Sequence, residues 1–148
     1  MDIVENGIAA GANLIMLKIS ESPAKNLLEV SVSDDGMGIS PELTKKVMDP
    51  FFTTKTTRRV GLGLSLFKEA AERCGGEFNL RSEEGKGTEV FATFKLDHID
   101  LAPLGDMAGS FTCLVMGNPG IDFIYSHEIN GRSFELDTRA LRNWPFKV

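Results

Sequence analysis

The hydrophobic positions along this chain keep two rhythms. Leu28, Val30 and Val32 alternate with Glu29, Ser31 and Ser33, the period of a half-buried strand over residues 27–33. Leu62, Leu66, Phe67, Ala70 and Cys74 fall instead at helical spacing, and Gly75-Gly76 stops the run. The same reading predicts a helix from Asp2 to Ala12 with Ile3, Val4 and Ile8 inward, a strand at LIMLKIS (residues 14–20), and a turn at ESPAKN. Ser40-Pro41-Glu42 offers a capping hydroxyl, a first-turn proline and an acid facing the dipole, so a short helix runs through Val47 and ends before Pro50. EFNLRSE (77–83) and TEVFATFKL (88–96) flank EGKG as an antiparallel hairpin. Residues 51–61, FFTTKTTRRVG, keep neither period and are expected to form a mobile loop.

A boundary falls near Leu96, dividing residues 1–96 from a C-terminal extension, 97–148, expected to pack on the same domain. In that extension residues 98–110 read as loop and FTCLVM (111–116) as a short apolar strand. IDFIYSHEI and RSFELDT read as a second hairpin on Asn130-Gly131, with a helical turn before Pro145.

Length adds that 148 residues make one domain, or one with an appendage, large enough for a core without staples. A net charge of −5 argues against general adhesion to nucleic acid or membrane, while leaving room for a local basic patch. No run of apolar residues is long enough to span a bilayer, and the first ten residues carry no basic side chain, so neither a spanning helix nor a signal peptide is expected. Two cysteines, Cys74 and Cys113, make a disulfide framework improbable and a reducing cytoplasm the default location.

Four segments invite a polyanion. Asp2 and Asn6, four residues apart on a helix, share a face, where Asn6 suits a divalent cation and the carboxylate can orient a water or hydroxyl. Asp34-Asp35-Gly36-Met37-Gly38-Ile39 follows a strand: the glycines allow close backbone approach, and a strand-end Asp can accept from an exocyclic amine. It is no EF-hand loop, because the twelfth position from Asp34 is Lys45. Gly61-Leu62-Gly63 opens a helix, and its backbone amides make an anion seat, without the GK[ST] of a Walker loop. The preceding Lys55, Arg58 and Arg59 lie among threonines in a stretch free of acids, well suited to phosphate oxygens. Gly85-Lys86-Gly87-Thr88 forms the first hairpin's tip, where turn geometry alone accounts for the glycines.

Each piece alone reads more simply as a turn or a solvated face. Their order decides otherwise. A helix with Asp2 and Asn6, a strand into DDGMGI, a helix into DPFFTTK, VGLGLSL opening a helix, and a hairpin carrying GKGT together resemble the GHKL superfamily over residues 2–96. Within it, DPFFTTK, GLGLSL and ERCGGEF…SEEGKGTEVFATF look most like the ATP-binding catalytic domain of bacterial sensor histidine kinases; the IAAGA ending of the first helix is also similar to mismatch-repair and topoisomerase members.

The resemblance implies an α+β fold, a two-layer α/β sandwich with a mixed sheet, helices on one face and a small β-rich C-terminal extension. It implies ATP and Mg²⁺ as cofactors. Asn6 would hold the Mg²⁺, Asp34 would bond the adenine amino group with Thr88 supporting it through water, and Gly36 and Gly38 would leave room for the base. Phe51 and Phe52 would anchor a lid that brings Thr54 and Lys55 to the nucleotide, Lys55 reaching the phosphates, and Gly61, Leu62 and Gly63 would present amides at the helix start. Asp2 stands where the family usually has Glu or Asn, the base of its hydrolytic members, and is one methylene shorter than Glu. Family members usually carry structure before this helix; the chain is expected to have lost it or to obtain it from a partner.

No helical hairpin bearing a phosphoacceptor histidine is found, and His98 and His127 read as surface or packing residues. The expected function is therefore a kinase-like module acting on, or regulating, a protein supplied in trans. An ATPase switch, or a non-catalytic nucleotide-binding interaction protein, stands beside it.

Overall fold

The computed structural model describes residues 2–49 and 59–142, with backbone alone for 59–62. Helix α1 (Asp2–Ala9) leads into β1 (Leu14–Ser22), a short 3₁₀ turn at Pro23–Lys25, and β2 (Leu27–Asp34). Then come α2 (Pro41–Met48), α3 (Arg59–Arg73), β3 (Phe78–Glu83), β4 (Gly87–Lys95) and α4 (Met107–Gly117). The hairpin β5 (Asp122–Ile129) and β6 (Arg132–Asp137) follows, then α5 (Thr138–Arg142). All the strands join one six-stranded sheet in the order β3-β4-β2-β1-β5-β6. Its neighbours are antiparallel except β1 and β5, which run parallel.

Register sorts the side chains of one sheet face into rows, because directly opposite residues point the same way. Leu80, Val90, Val32, Leu17 and Tyr125 form one such row across five strands. Helices α1, α3 and α4 cover this face with Val4, Ala71 and Phe111, Cys74 follows just after α3, and α2 adds Val47 against Leu64, Leu80 and Val90. The opposite face carries Lys18, Glu29, Ser31 and Glu128 around Phe91. One face is therefore a core and the other is wet, a two-layer α+β sandwich. Each fully buried side chain such as Ile15 or Phe123 contributes about 1.5–3 kcal/mol of burial.

Local chemistry fixes the ends of the elements. Ser40 caps α2, its Oγ accepting from Leu43 N at 3.2 Å, with Pro41 in the first turn. Asn130 and Gly131, at φ 52° and 78°, make the tight turn the NG pair predicts. His127 is held between strands: its Nδ1 lies 2.8 Å from the Tyr125 hydroxyl and its Nε2 2.9 Å from Glu21. His98 Nδ1 accepts from the backbone N–H of Asp100.

One element differs in kind from the sequence expectation. FTCLVM is not a strand, and the end of the 98–110 loop is not loop: both lie in α4. The β-formers Phe111, Thr112 and Val115 suggested a strand, but Met107, Phe111, Leu114 and Val115 also fall at helical spacing and pack inward together. Asp106 starts the helix, its carboxylate accepting from Gly109 N at 2.9 Å. Boundaries shift elsewhere. Helix α1 ends at Ala9 rather than Ala12, β1 runs on to Ser22, and β2 takes in Asp34. Helix α3 begins at Arg59, so residues 59–61 belong to it rather than to the preceding loop. The rest of that loop, 51–58, lies outside the described residues, as does the segment from 143 on.

Candidate functional site

At one end the rows of the core face turn polar. Ser82 on β3, Thr88 on β4 and Asp34 on β2 stand side by side, one register step beyond Leu80, Val90 and Val32. Helices α1 and α3 do not fill the space above this row, and a cleft of about 120 Å³ remains there. Ile3, Ala9, Ala10, Ile39, Leu64 and Val90 make its walls largely apolar, while Asn6, Asp34 and Thr88 supply its polar groups. An apolar slot with a few convergent polar atoms suits an aromatic ring bearing hydrogen-bonding substituents.

Asp34 is the most perturbed group in the cleft. Burial lifts its carboxyl above the usual aspartate value, and the charge of neighbouring Asp35 adds to this. Backbone N–H groups of Gly36 and Thr88 pull the other way without cancelling the rise. The Gly36 amide donates to Asp34 Oδ1 at 2.9 Å, which fixes the carboxylate's orientation at the strand end. Asp35 turns outward and accepts from the backbone N–H groups of Asn13 and Leu14, tying the loop to the start of β1.

The loop after Asp34 is clamped between α1 and the β3–β4 hairpin. Met37 N donates to Ala10 O at 3.0 Å, and Gly85 N donates to Met37 O at 2.8 Å. Ile39 N donates to Ser82 Oγ at 2.7 Å. Glycine is required where the backbones meet. A Cβ at Gly36 would lie 2.9 Å from the Ala10 carbonyl oxygen, and Gly38, at φ 77°, has the Glu83 carbonyl where its Cβ would be. These glycines bring the loop against its neighbours, which leaves Met37 and Ile39 along the cleft wall.

Helix α3 approaches α1 at Gly63. A Cβ there would sit 3.4 Å from Asp2 Cβ and 3.7 Å from Asn6 Nδ2, so the two polar residues predicted to share a face of α1 both face the start of α3. Asn6 lines the cleft, and its Nδ2 is buried without a hydrogen-bond partner among the described residues. An orphaned amide at the edge of a cleft is a group left for a ligand, since buried polar atoms otherwise find partners. Gly61 lies in the first turn of α3, whose opening backbone N–H groups have no intrahelical acceptor; Leu62 and Gly63 are further in. That turn carries no acid.

The structure thus gathers Asn6, Asp34, Gly38 and Thr88 around one cleft; Gly36 bonds Asp34 from behind the lining, and Gly63 lies beside Asp2 and Asn6. Phe51, Phe52, Thr54 and Lys55 fall outside the described residues. Two residues escaped the sequence reading. Gly7 packs on Asp34: a Cβ there would lie 3.1 Å from Asp34 Cβ. Ser82, on β3, bonds the loop and the facing strand β4. The alternation Phe78, Leu80, Ser82 already placed Ser82 on the core face; a hydroxyl at an apolar-phase position was the available signal.

A family model described as "Histidine kinase-, DNA gyrase B-, and HSP90-like ATPase" matches residues 1–98. The chain belongs to this ATPase family. Among curated relatives of these ATPases, Sensor protein kinase FleS of Pseudomonas aeruginosa is 41% identical over 104 residues, covering 70% of this chain and 25% of FleS. An uncharacterized sensor-like histidine kinase of Rhizobium meliloti is 42% identical over 77 residues, covering 49% of this chain and 15% of the relative. The chain therefore spans a quarter or less of the length of these relatives. Among solved structures, the catalytic domain of histidine kinase ThkA is similar at 27% identity and a TM-score of 0.43, over 64% of this chain and 61% of that one. The matched region is a domain of this ATPase type, and sensor kinases are among its relatives.

Proposed function

We propose that this chain binds Mg-ATP in the α1–α3–hairpin cleft and serves as the catalytic module of a histidine-type kinase, passing phosphate to, or regulating, a separate protein. The observation that carries this reading is the pairing of Asp34 with Thr88 across β2 and β4 at the mouth of an apolar slot, with Asn6 opposite. Asp34 accepts from the adenine amino group, Thr88 adds a second polar contact beside it, and the apolar walls take the faces of the ring. The α3 first turn directs its free amides and dipole at the phosphates.

Magnesium fits the donor set. Among the described residues no three His, Cys, Asp or Glu side chains form a metal cage. Magnesium does not need one, because it keeps waters and substrate phosphates and takes few protein oxygens. The Asn6 carboxamide, unpartnered at its nitrogen and free to present its oxygen by rotation, is the residue that would hold it. When bound, the ion supplies charge neutralisation for phosphoryl transfer, a reaction that rests mainly on positioning and electrostatics. Lys55 and Thr54, from the segment before α3, are proposed to complete the phosphate contacts.

A second reading rests on Asp2, whose Cβ lies beside Gly63 at the phosphate end. There its carboxylate can take a proton from water, which makes the module an ATPase whose nucleotide state sets a partner surface. Incubation with γ-labelled ATP separates the two. Acid-labile label on a separate protein supports the kinase. Free phosphate that disappears in Asp2→Asn supports the switch, and absence of both products counts against catalysis.

Among the described residues no helix is long and apolar enough to cross a membrane. We propose a cytoplasmic location for the chain, a protein partner supplied in trans, and no nucleic-acid or membrane ligand. Residues 97–148, which include β5 and β6, would build the remainder of the same domain.

A further inference from the structure

The hydroxyl of Ser82 has three neighbours within hydrogen-bond distance. Ile39 N donates to it at 2.7 Å, the carbonyl oxygen of Gly87 lies at 3.0 Å, and Thr88 Oγ1 at 2.9 Å. A serine hydroxyl has one proton and two lone pairs. The Gly87 carbonyl can only accept, so the proton of Ser82 goes there. The Ile39 amide can only donate, so it takes one lone pair. One lone pair is left for Thr88, and Thr88 must therefore be the donor in their contact. With its own proton committed to Ser82, Thr88 keeps both lone pairs, and it lines the cleft beside Asp34.

We propose that Ser82 is a positioning residue that fixes the direction of the Thr88 hydroxyl, so that the polar end of the cleft presents acceptors only and distinguishes a ring amino group from a ring carbonyl. This rests on the nucleotide-binding reading above and adds a selectivity device to it. Asp34 accepts as a carboxylate, and Thr88 accepts directly or through a water whose protons it orients. A 6-aminopurine offers donors that match; a 6-oxopurine at the same place meets two acceptors and finds no proton. A free threonine rotor would turn its proton toward the carbonyl and soften that rejection. Ser82 removes this freedom without touching the ligand, and its bond to Ile39 holds the loop after Asp34 in step with the hairpin.

The test compares binding of Mg-ATP and Mg-ITP, which differ at the 6-position of the purine, by calorimetric titration of the whole chain. The unmutated protein prefers ATP. In Ser82→Ala the Thr88 proton is released, and the ATP/ITP affinity ratio narrows by about three- to tenfold, the value of one ordinary hydrogen bond. Thr88→Val narrows the ratio as well, and the double variant narrows it no further, because both changes act through one proton. Ser82→Thr, which keeps the hydroxyl, restores the preference. If Ser82 only supports the fold, Ser82→Ala weakens ATP and ITP by the same factor and leaves the ratio unchanged, which overturns the proposal. Should Ser82→Ala not fold, an unchanged ratio in Thr88→Val overturns it equally. Failure of the unmutated chain to bind either nucleotide overturns the binding reading itself, and is recognised because no variant is needed to see it.

Discussion

Gly87 leaves no room for a side chain because the Asp34 carbonyl oxygen occupies the place where its Cβ would be. The glycine holds φ at 127°, which only glycine adopts without strain, and its neighbour Thr88 is thereby set opposite Asp34 in register. The hairpin glycine thus does more than form a turn: it seats the hairpin against the end of β2. Gly87→Ala should destabilise the fold by about 1–3 kcal/mol through overpacking. In a chain of this size each kcal/mol lowers Tm by roughly 2–4 °C, which differential scanning fluorimetry reads. Gly85→Ala, with nothing near its Cβ position, tests the close approach separately and should lose only the cost of its positive φ.

The raised pKa of Asp34 gives a prediction with a sign. Its folded-state value lies above the ordinary aspartate value of 3.8, so the folded protein binds this proton more tightly than the unfolded chain. The contribution is fully present below the unfolded value and is lost as pH rises through the folded one. Asp34→Asn cannot ionise and keeps no such dependence. Urea unfolding of the nucleotide-free protein should therefore show the unmutated chain losing stability relative to Asp34→Asn as pH rises above about 4. A difference that stays flat with pH would mean that the carboxyl is not desolvated.

Phe111 anchors α4 to the sheet, with ring centroids 5.9 Å from Phe123 and 5.2 Å from Tyr125. Phe111→Ala should cost about 3–5 kcal/mol, the range for emptying a buried aromatic site. Were α4 a loosely attached appendage, the loss would stay below about 1 kcal/mol and the urea midpoint would hardly move.

The fold was legible where one signal stood alone. The strict alternation in β2 and the Asn130-Gly131 turn left a single reading, and both elements formed as expected. α4 was misread because its residues satisfy both propensities: Phe111, Thr112 and Val115 favour a strand, while helical spacing emerges only when Met107 is counted with them. Tertiary burial against Phe123 and Tyr125 decided in favour of the helix. At the cleft, Asp34 and Thr88 were legible as residue types, but their register was not. It depends on how β2 and β4 slide past one another, which Gly87 and the rows of core side chains determine together. Gly7 was invisible for the same reason: a mid-helix glycine has meaning only once Asp34 lies 3.1 Å from its Cβ position.

Asn6 separates metal-dependent from metal-independent affinity. In Asn6→Ala, binding of ATP in the presence of Mg²⁺ should fall by about ten- to a hundredfold, the value of a contact to a charged partner. Binding in the presence of a chelator should change little. Equal losses under both conditions would place Asn6 on the nucleotide rather than on the metal.

The central claim is that the cleft between α1, α3 and the β3–β4 hairpin is a nucleotide site oriented by Asp34. It is tested most directly by titrating Mg-ATP into the unmutated chain and into Asp34→Ala while following thermal unfolding. Saturation at a hundredfold over Kd should stabilise the unmutated protein by about 2.7 kcal/mol and leave Asp34→Ala unmoved at the same concentration. No shift in the unmutated chain, or an undiminished shift in the variant, would contradict it.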